Sequence, residues 1–181
     1  MDLWEKQTGS EQVFSGRVLK LFVDSVALSD GSASKREIVR AGEVGCVLPV
    51  DETGNAYLVE QFRYSLGRTV LEAPAGRLNE GETPLDCAVR ELKEETGLSA
   101  DCFIPLGIYR PSPGILDETI HLFAAVGLHS GQAAPDEGEF VRLVVMPLQE
   151  LIDQILSGKI EDGKTQVAVL KALHVLKEEK G

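Results

Sequence analysis

Basic side chains are scarce in this 181-residue chain: 18 lysines and arginines face 29 aspartates and glutamates, a formal charge of −11. Tracking a nucleic-acid backbone needs a basic surface, so nucleic-acid binding is excluded as the main task. Long apolar runs are missing as well. None approaches the roughly 20 residues needed to cross a bilayer, so no membrane partner is expected. The opening residues, MDLWEKQTGSEQ, lack the basic and apolar parts of an export leader, and a cytoplasmic setting is expected. Cysteine is limited to Cys46, Cys87 and Cys102, with no C-x-x-C pair. That argues against a disulfide framework or structural zinc and for reduced thiols. Aromatic residues make up 6% of the chain, which restricts any base-stacking clamp to residues such as Trp4, Phe14, Phe22 and Tyr64. His121, His129 and His174 have no metal-ligand spacing, and His121 reads as a core or edge residue of a strand.

What is present suffices for a folded domain. Hydrophobic residues are 43% of the chain, ample for a core. The first twelve residues read as a loose arm. Val13–Leu28 is rich in β-branched and aromatic residues and reads as strand; with Lys35–Val39 it predicts a hairpin or small meander over 13–40. Further strands are expected at Gly45–Val50, Ala56–Gln61, 103–110, 118–126 and 139–146, with a loop-rich stretch from Tyr64 to Thr83. Two helices are expected to close the chain, Leu148–Leu156 and Thr165–Glu179, the second with Val167, Leu170, Leu173 and Leu176 as its apolar face. Strands that mostly precede helices, without regular alternation, predict an α/β protein with a mixed sheet between helices.

The informative helix begins after Thr83. Thr83 suits an N-cap, Pro84 the first helical position, and Asp86 completes a capping-box pattern. Leu85, Ala88, Val89 and Leu92 share a predicted apolar face, and Gly97 is placed to end the helix. Glu91, Glu94 and Glu95 are expected on roughly the opposite side. Glu91 and Glu95 are like charges four residues apart, and Glu95 sits at the helix end that disfavours negative charge. Local helix energetics oppose this arrangement. A hard divalent cation would reverse the sign, since clustered carboxylate oxygens are what Mg²⁺ or Mn²⁺ takes. The plainer reading is a solvated charged face with an Arg90–Glu94 pair.

The wider spacing decides between them. Gly76, Glu82, Arg90, Glu91, Leu92, Glu94, Glu95, Gly97 and Leu98 follow the pattern G-x5-E-x7-R-E-U-x-E-E-x-G-U, where U is aliphatic. The segment resembles the signature of the Nudix hydrolases. The resemblance implies a Nudix fold, an α/β/α sandwich with a mixed sheet. Here that domain would span 41–181, preceded by residues 1–40, an arm and small antiparallel β-sheet open to exchange in a homodimer. It implies hydrolysis of a nucleoside diphosphate linked to another group, with Mg²⁺ or Mn²⁺. Glu91 and Glu95 match metal ligands, and Glu94 matches a residue that assists the site. Arg90 matches an arginine that orients a glutamate, and Glu82 matches a supporter of the metal. The Ala75 carbonyl matches a backbone ligand.

Outside that box, Gln61-Phe62-Arg63-Tyr64, Leu71-Glu72-Ala73-Pro74-Ala75-Gly76, Ser112-Pro113-Gly114 and Asp162-Gly163-Lys164-Thr165, with Arg36-Glu37-Ile38-Val39, are similar to the ADP-ribose pyrophosphatase branch. The implied reaction gives AMP and ribose 5-phosphate. By position, Glu137 matches the base and Glu139 a further metal ligand, and Glu118 is the competing base. Arg63 is the expected phosphate cation through its guanidinium fork, the alternative being a salt bridge to Glu72; Arg36 is of the same kind. Glu72, Ser112, Pro113 and Gly114 complete the expected substrate-binding set. GDP-mannose or another nucleoside diphosphate sugar is the alternative substrate. A non-catalytic sensor of ADP-ribose or NAD is the alternative class, disfavoured because all the box glutamates are present.

Overall fold

A computed structural model describes residues 3–134, 138 and 140–178. It divides into two compact units, Met1–Gly42 with Arg110–Thr119, and Glu43–Tyr109 with Ile120–Gly181.

The first unit is a three-stranded antiparallel meander, β1 (Glu5–Ser15), β2 (Lys20–Leu28) and β3 (Ala33–Arg40). The expected loose arm is instead a strand. β1 pairs with β2 from Glu5↔Leu28 to Ser15↔Lys20, and every residue of it is exposed. A polar stretch such as EKQTGSEQ carries no hydrophobic alternation, but backbone pairing to β2 needs none. Val13–Leu28 is accordingly split between β1 and β2. The Arg36 guanidinium crosses from β3 to Glu5 on β1, and Arg40 lies 4.1 Å over the ring of Phe22. The segment Arg110–Thr119 joins this unit through Val39 N–H to Ile115 O (2.7 Å) and Ala41 N–H to the Asp117 carboxylate (2.8 Å).

The second unit contains two sheets and three helices. One sheet has the order β10–β5–β6, from Val141–Pro147, Asn55–Arg63 and Arg68–Glu72. The other has the order β7–β4–β9–β8, from Ala75–Arg77, Glu43–Pro49, Thr119–Ser130 and Leu98–Tyr109. The helices are α1 (Pro84–Thr96), α2 (Leu148–Leu156) and α3 (Gly163–Glu178). The stretch read as loop from Tyr64 to Thr83 thus contains two short strands, β6 and β7.

β4 explains the layering. Its side chains alternate between two cores, as a strand buried on both faces must. Val44, Cys46 and Leu48 enter a cluster with Leu58, Leu122, Leu151, Ala168, Val169 and Ala172, which brings in α2 and α3. Val47, between them, enters a second cluster with Ala88 and Leu92 of α1, Leu98, Phe123 and Ala125. On the α1 side Gly45 has no side chain, and a β-carbon there would sit 2.9 Å from the Ala88 nitrogen and the Pro84 carbonyl. The α3 face also departs from expectation. Val167, Leu173 and Leu176 pack against the core as expected, but Leu170 is exposed and the fully buried positions are Thr165, Ala168, Val169 and Ala172, small or branched residues that let the helix lie close to the sheet. Cys46, Cys87 and Cys102 are all free thiols, the first two buried.

Candidate active site

α1 is built as its sequence dictates. Thr83 caps it, accepting from the Asp86 N–H (3.2 Å) and donating to the Asp86 carboxylate (2.6 Å), with Pro84 at the first position. Gly97 ends it in the left-handed conformation (φ 73°), its N–H returning to the Lys93 carbonyl. A β-carbon at Gly97 would also meet the Ala133 nitrogen at 2.6 Å, so the Gly131–Ala134 segment lies across this helix end. Ala134 N–H donates to the Glu94 carbonyl (3.0 Å).

The buried face of α1 differs from expectation. Cys87, Ala88, Glu91, Leu92, Glu95 and Thr96 are buried, whereas Leu85 and Val89 are about half exposed. Glu95 lies seven residues, nearly two full turns, after Ala88, so it shares that residue's side of the helix. The two carboxylates therefore border the apolar core rather than oppose it.

β7 meets these carboxylates. Gly76 pairs with Gly45 on β4, and Ala75 pairs with Cys46. A β-carbon on Gly76 would stand 1.7 Å from Glu91 Oε1, so glycine is required for that carboxylate to lie against the strand. One residue earlier, the Ala75 N–H donates to Glu95 Oε2 (3.1 Å). Cys87 Sγ donates to the Gly76 carbonyl (3.3 Å), and its burial raises the thiol to about 11.

Arg90 gathers the remaining acids. Nε donates to Glu82 Oε1 (2.8 Å) and Nη2 to Glu82 Oε2 (3.0 Å), a two-pronged bridge. Nη1 donates to Glu91 (2.6 Å) and Glu94 (2.9 Å), and Nη2 also reaches the Arg77 carbonyl (3.0 Å). These bonds, that to Glu82 foremost, hold the guanidinium above its ordinary pKa. Arg90 in turn, with the Asn79 N–H, lowers Glu82 to about 2.

Among the described residues no three carboxylate, imidazole or thiol side chains already converge on a common point as a metal cage. Two of the expected donors, Glu91 and Glu95, are buried carboxylates on one helix side, next to the backbone of Ala75 and Gly76. The donor set is all oxygen, which fits a hard divalent cation and not a soft one. Glu82 is turned to Arg90. Glu139, the further expected ligand, and Glu137, the expected base, lie outside the described residues.

Arg63 makes the salt bridge that was its alternative reading: Nε to Glu72 Oε1 (2.6 Å) and Nη2 to Glu72 Oε2 (2.7 Å). Glu72 is 3% exposed. Burial would raise its pKa, but Arg63 and Lys164 more than offset this and hold it below the ordinary carboxylate range. Lys164 and Asp162 went unassigned in the sequence, yet Lys164 Nζ bonds both Glu72 and Asp162. The available signal was Asp162-Gly163-Lys164-Thr165 itself, an N-cap pattern with a lysine in a first helical turn, where cations are disfavoured. Arg36 is engaged by Glu5, Ser34 and the Lys35 carbonyl within the first unit. That unit also carries exposed Ser112, Pro113 and Gly114 and part-buried Glu118. His121 bonds Glu43 and His129 bonds Asp101, ordinary surface pairs.

Comparison with known proteins adds identity to this geometry. The NUDIX domain model matches residues 39–168. A protein of Bacillus methanolicus named methanol dehydrogenase activator is 44% identical over 91% of this chain and 90% of its own length. The ADP-ribose pyrophosphatase of Bacillus subtilis is 41% identical over 92% of this chain and 91% of its own. Among solved structures, one titled as an ADP compounds hydrolase superposes with a TM-score of 0.88 at 21% identity, covering 99% of this chain and 98% of that one.

Proposed function

The chain belongs to the Nudix family, and from that membership we propose that it hydrolyses the pyrophosphate bond of ADP-ribose to AMP and ribose 5-phosphate. The observation that carries the reading is the seating of the buried Glu91 and Glu95 carboxylates against the Ala75–Gly76 backbone. Those residues, with the Ala75 carbonyl, Glu82 and Glu139, are the groups we assign to a divalent cation, Mg²⁺ or Mn²⁺. When bound, such an ion neutralises phosphate charge, polarises phosphorus and lowers the pKa of an attacking water.

Arg90 keeps Glu82, Glu91 and Glu94 oriented by four charge-assisted hydrogen bonds. Glu94 assists at the rim of the site. Glu137 takes the proton of the attacking water, with Glu118 as the competing base. Arg63 spends Nε and Nη2 on Glu72, which leaves its Nη1 edge for a phosphate oxygen. Arg36, Glu72, Ser112, Pro113 and Gly114 complete the proposed substrate set. Glu72 acts there through the cations it holds, since it is itself buried. We place the catalytic domain at 41–181 and read 1–40 as the part exchanged in a cytoplasmic homodimer, a state that light scattering of the purified protein and cell fractionation would test.

The reading is tested by a panel of ADP-ribose, GDP-mannose, NADH, diadenosine polyphosphates and nucleoside triphosphates, with products identified. ADP-ribose is expected to turn over fastest, with AMP released only when Mg²⁺ or Mn²⁺ is present and none after EDTA. Metal-independent turnover would sink the mechanism. Preference for GDP-mannose would move the chain to the branch of its 36%-identical Yersinia relative, a GDP-mannose pyrophosphatase. Tight binding without cleavage would favour a sensor. A second reading, activation of a methanol dehydrogenase, is favoured by the name of the 44%-identical relative. Adding the chain to such a dehydrogenase and measuring its rate tests it directly.

A further inference from the structure

The first turn of α3 is wired to the strand end that feeds the active site. Thr165 is fully buried, and its hydroxyl does two things at once. It accepts the Ala73 N–H at 2.7 Å and donates its proton to Asp162 Oδ2 at 2.5 Å. A serine could do both, a valine neither. Asp162 Oδ2 also caps the helix at the Thr165 N–H (2.9 Å), while Oδ1 accepts from Lys164 (3.0 Å). Lys164 reaches on to Glu72, which is held from its other side by Arg63. Gly163 has no room for a side chain, because a β-carbon there would lie 2.5 Å from the Tyr109 hydroxyl.

The tethered residues lead straight to the carboxylate box. Glu72 is gripped by Lys164 and Ala73 by Thr165. The Pro74 carbonyl accepts from Val47 N–H (2.9 Å), and the Ala75 N–H is bonded to Glu95 (3.1 Å). The run 72–75 is therefore fixed by α3 at one end and by the Glu95 carboxylate at the other. Two residues separate the Ala73 N–H held by Thr165 from the Ala75 N–H held by Glu95.

We propose that Thr165, supported by Asp162 and Lys164, is a positioning residue for the divalent cation: its hydroxyl sets the Ala73–Ala75 backbone and thereby the Ala75 carbonyl and Glu95 carboxylate. This rests on the metal-dependent reading above. The helix macrodipole disfavours a lysine in this turn, and the Asp162 and Glu72 carboxylates compensate for it at this site.

The test is Mn²⁺ binding without substrate, by electron paramagnetic resonance, to wild type, Thr165→Val, Thr165→Ser and Thr165→Ala, alongside ADP-ribose kinetics. Outer-shell partners of metal ligands typically contribute about 10–100-fold to affinity. Thr165→Val is expected to weaken Mn²⁺ binding by roughly 10-fold or more and to raise the Mn²⁺ concentration for half-maximal rate in proportion. Its KM for ADP-ribose at saturating metal should stay within about twofold of wild type. Thr165→Ser should restore Mn²⁺ binding. Wild-type Mn²⁺ affinity in Thr165→Val, or equal loss in Thr165→Ser, overturns the proposal. If circular dichroism shows Thr165→Val unfolded, Thr165→Ala is read by the same criterion, since it also removes the hydroxyl that holds the Ala73 N–H and introduces no bulk. A wild-type protein that binds no Mn²⁺ overturns the metal-dependent reading itself, and this proposal with it.

Discussion

Gly76 and Glu91 are in such close register that a β-carbon on Gly76 would lie 1.7 Å from Glu91 Oε1 and 2.2 Å from its carboxyl carbon. The glycine that opens the box is there to let a buried carboxylate rest on backbone. Gly76→Ala must push Glu91 away or shift β7. The clash is with the flexible end of Glu91, so the side chain is expected to swing aside at a cost of about 1 kcal/mol, the low end for overpacking, with activity falling much further than stability. Thermal melting and steady-state rates on the same preparation check it; an alanine variant with normal activity would show that Glu91 does not need this seat.

Glu95→Gln keeps an oxygen for the Ala75 N–H but removes the charge. Turnover of ADP-ribose should drop by roughly two orders of magnitude or more, beyond the usual effect of an outer-shell change, while the melting temperature barely moves. Near-normal turnover would remove Glu95 from the ligand set.

Glu137→Gln and Glu118→Gln, compared at saturating metal, separate the two base candidates. The true base should lose most of its kcat and the alkaline-side gain in rate, and the other variant should retain both. Equal behaviour of the two would leave neither as the base.

Acid stability should follow Glu82. Arg90 and the Asn79 N–H lower its pKa from 4.5 to about 2, so the folded state binds fewer protons than the unfolded state in that range. The stabilisation is fully present above about pH 4.5 and is lost as pH falls toward 2. Urea unfolding of wild type and Glu82→Gln across that window should show the stability gap closing as pH drops. A gap independent of pH would contradict the linkage.

Leu92 and Leu170 are both helical leucines with opposite expectations. Leu92 is fully buried against Val47 and Phe123, and Leu92→Ala should cost about 2–5 kcal/mol. Leu170 is 57% exposed, and Leu170→Ala should change stability by about 0.5 kcal/mol or less. Chemical denaturation of the pair measures the difference.

These two leucines mark a limit of reading periodicity. Spacing places both on apolar helical faces, and nothing local tells which face meets the sheet. On α1 the answer depends on the two glycines paired across β4 and β7, Gly45 and Gly76, which admit the side bearing Glu91 and Glu95. On α3 it depends on the close approach allowed by Ala168 and Ala172. The polar part of β1, Glu5–Gln12, escapes such patterns for a related reason: its hydrogen bonds go to β2, and an exposed strand can be polar throughout.

The sequence by itself determined the chemistry-bearing helix: its caps at Thr83 and Gly97, the order of its glutamates and its arginine, and the Nudix box they form. Each of these rests on spacings of a few residues, where chain geometry converts sequence into position. Only the tertiary structure decided that Arg63 bridges Glu72, that Lys164 completes that bridge from 92 residues away, and that Thr165 ties α3 to Ala73. Those partners lie on separate elements, brought together by burial of the core around β4, and no local pattern encodes which buried charge will meet which.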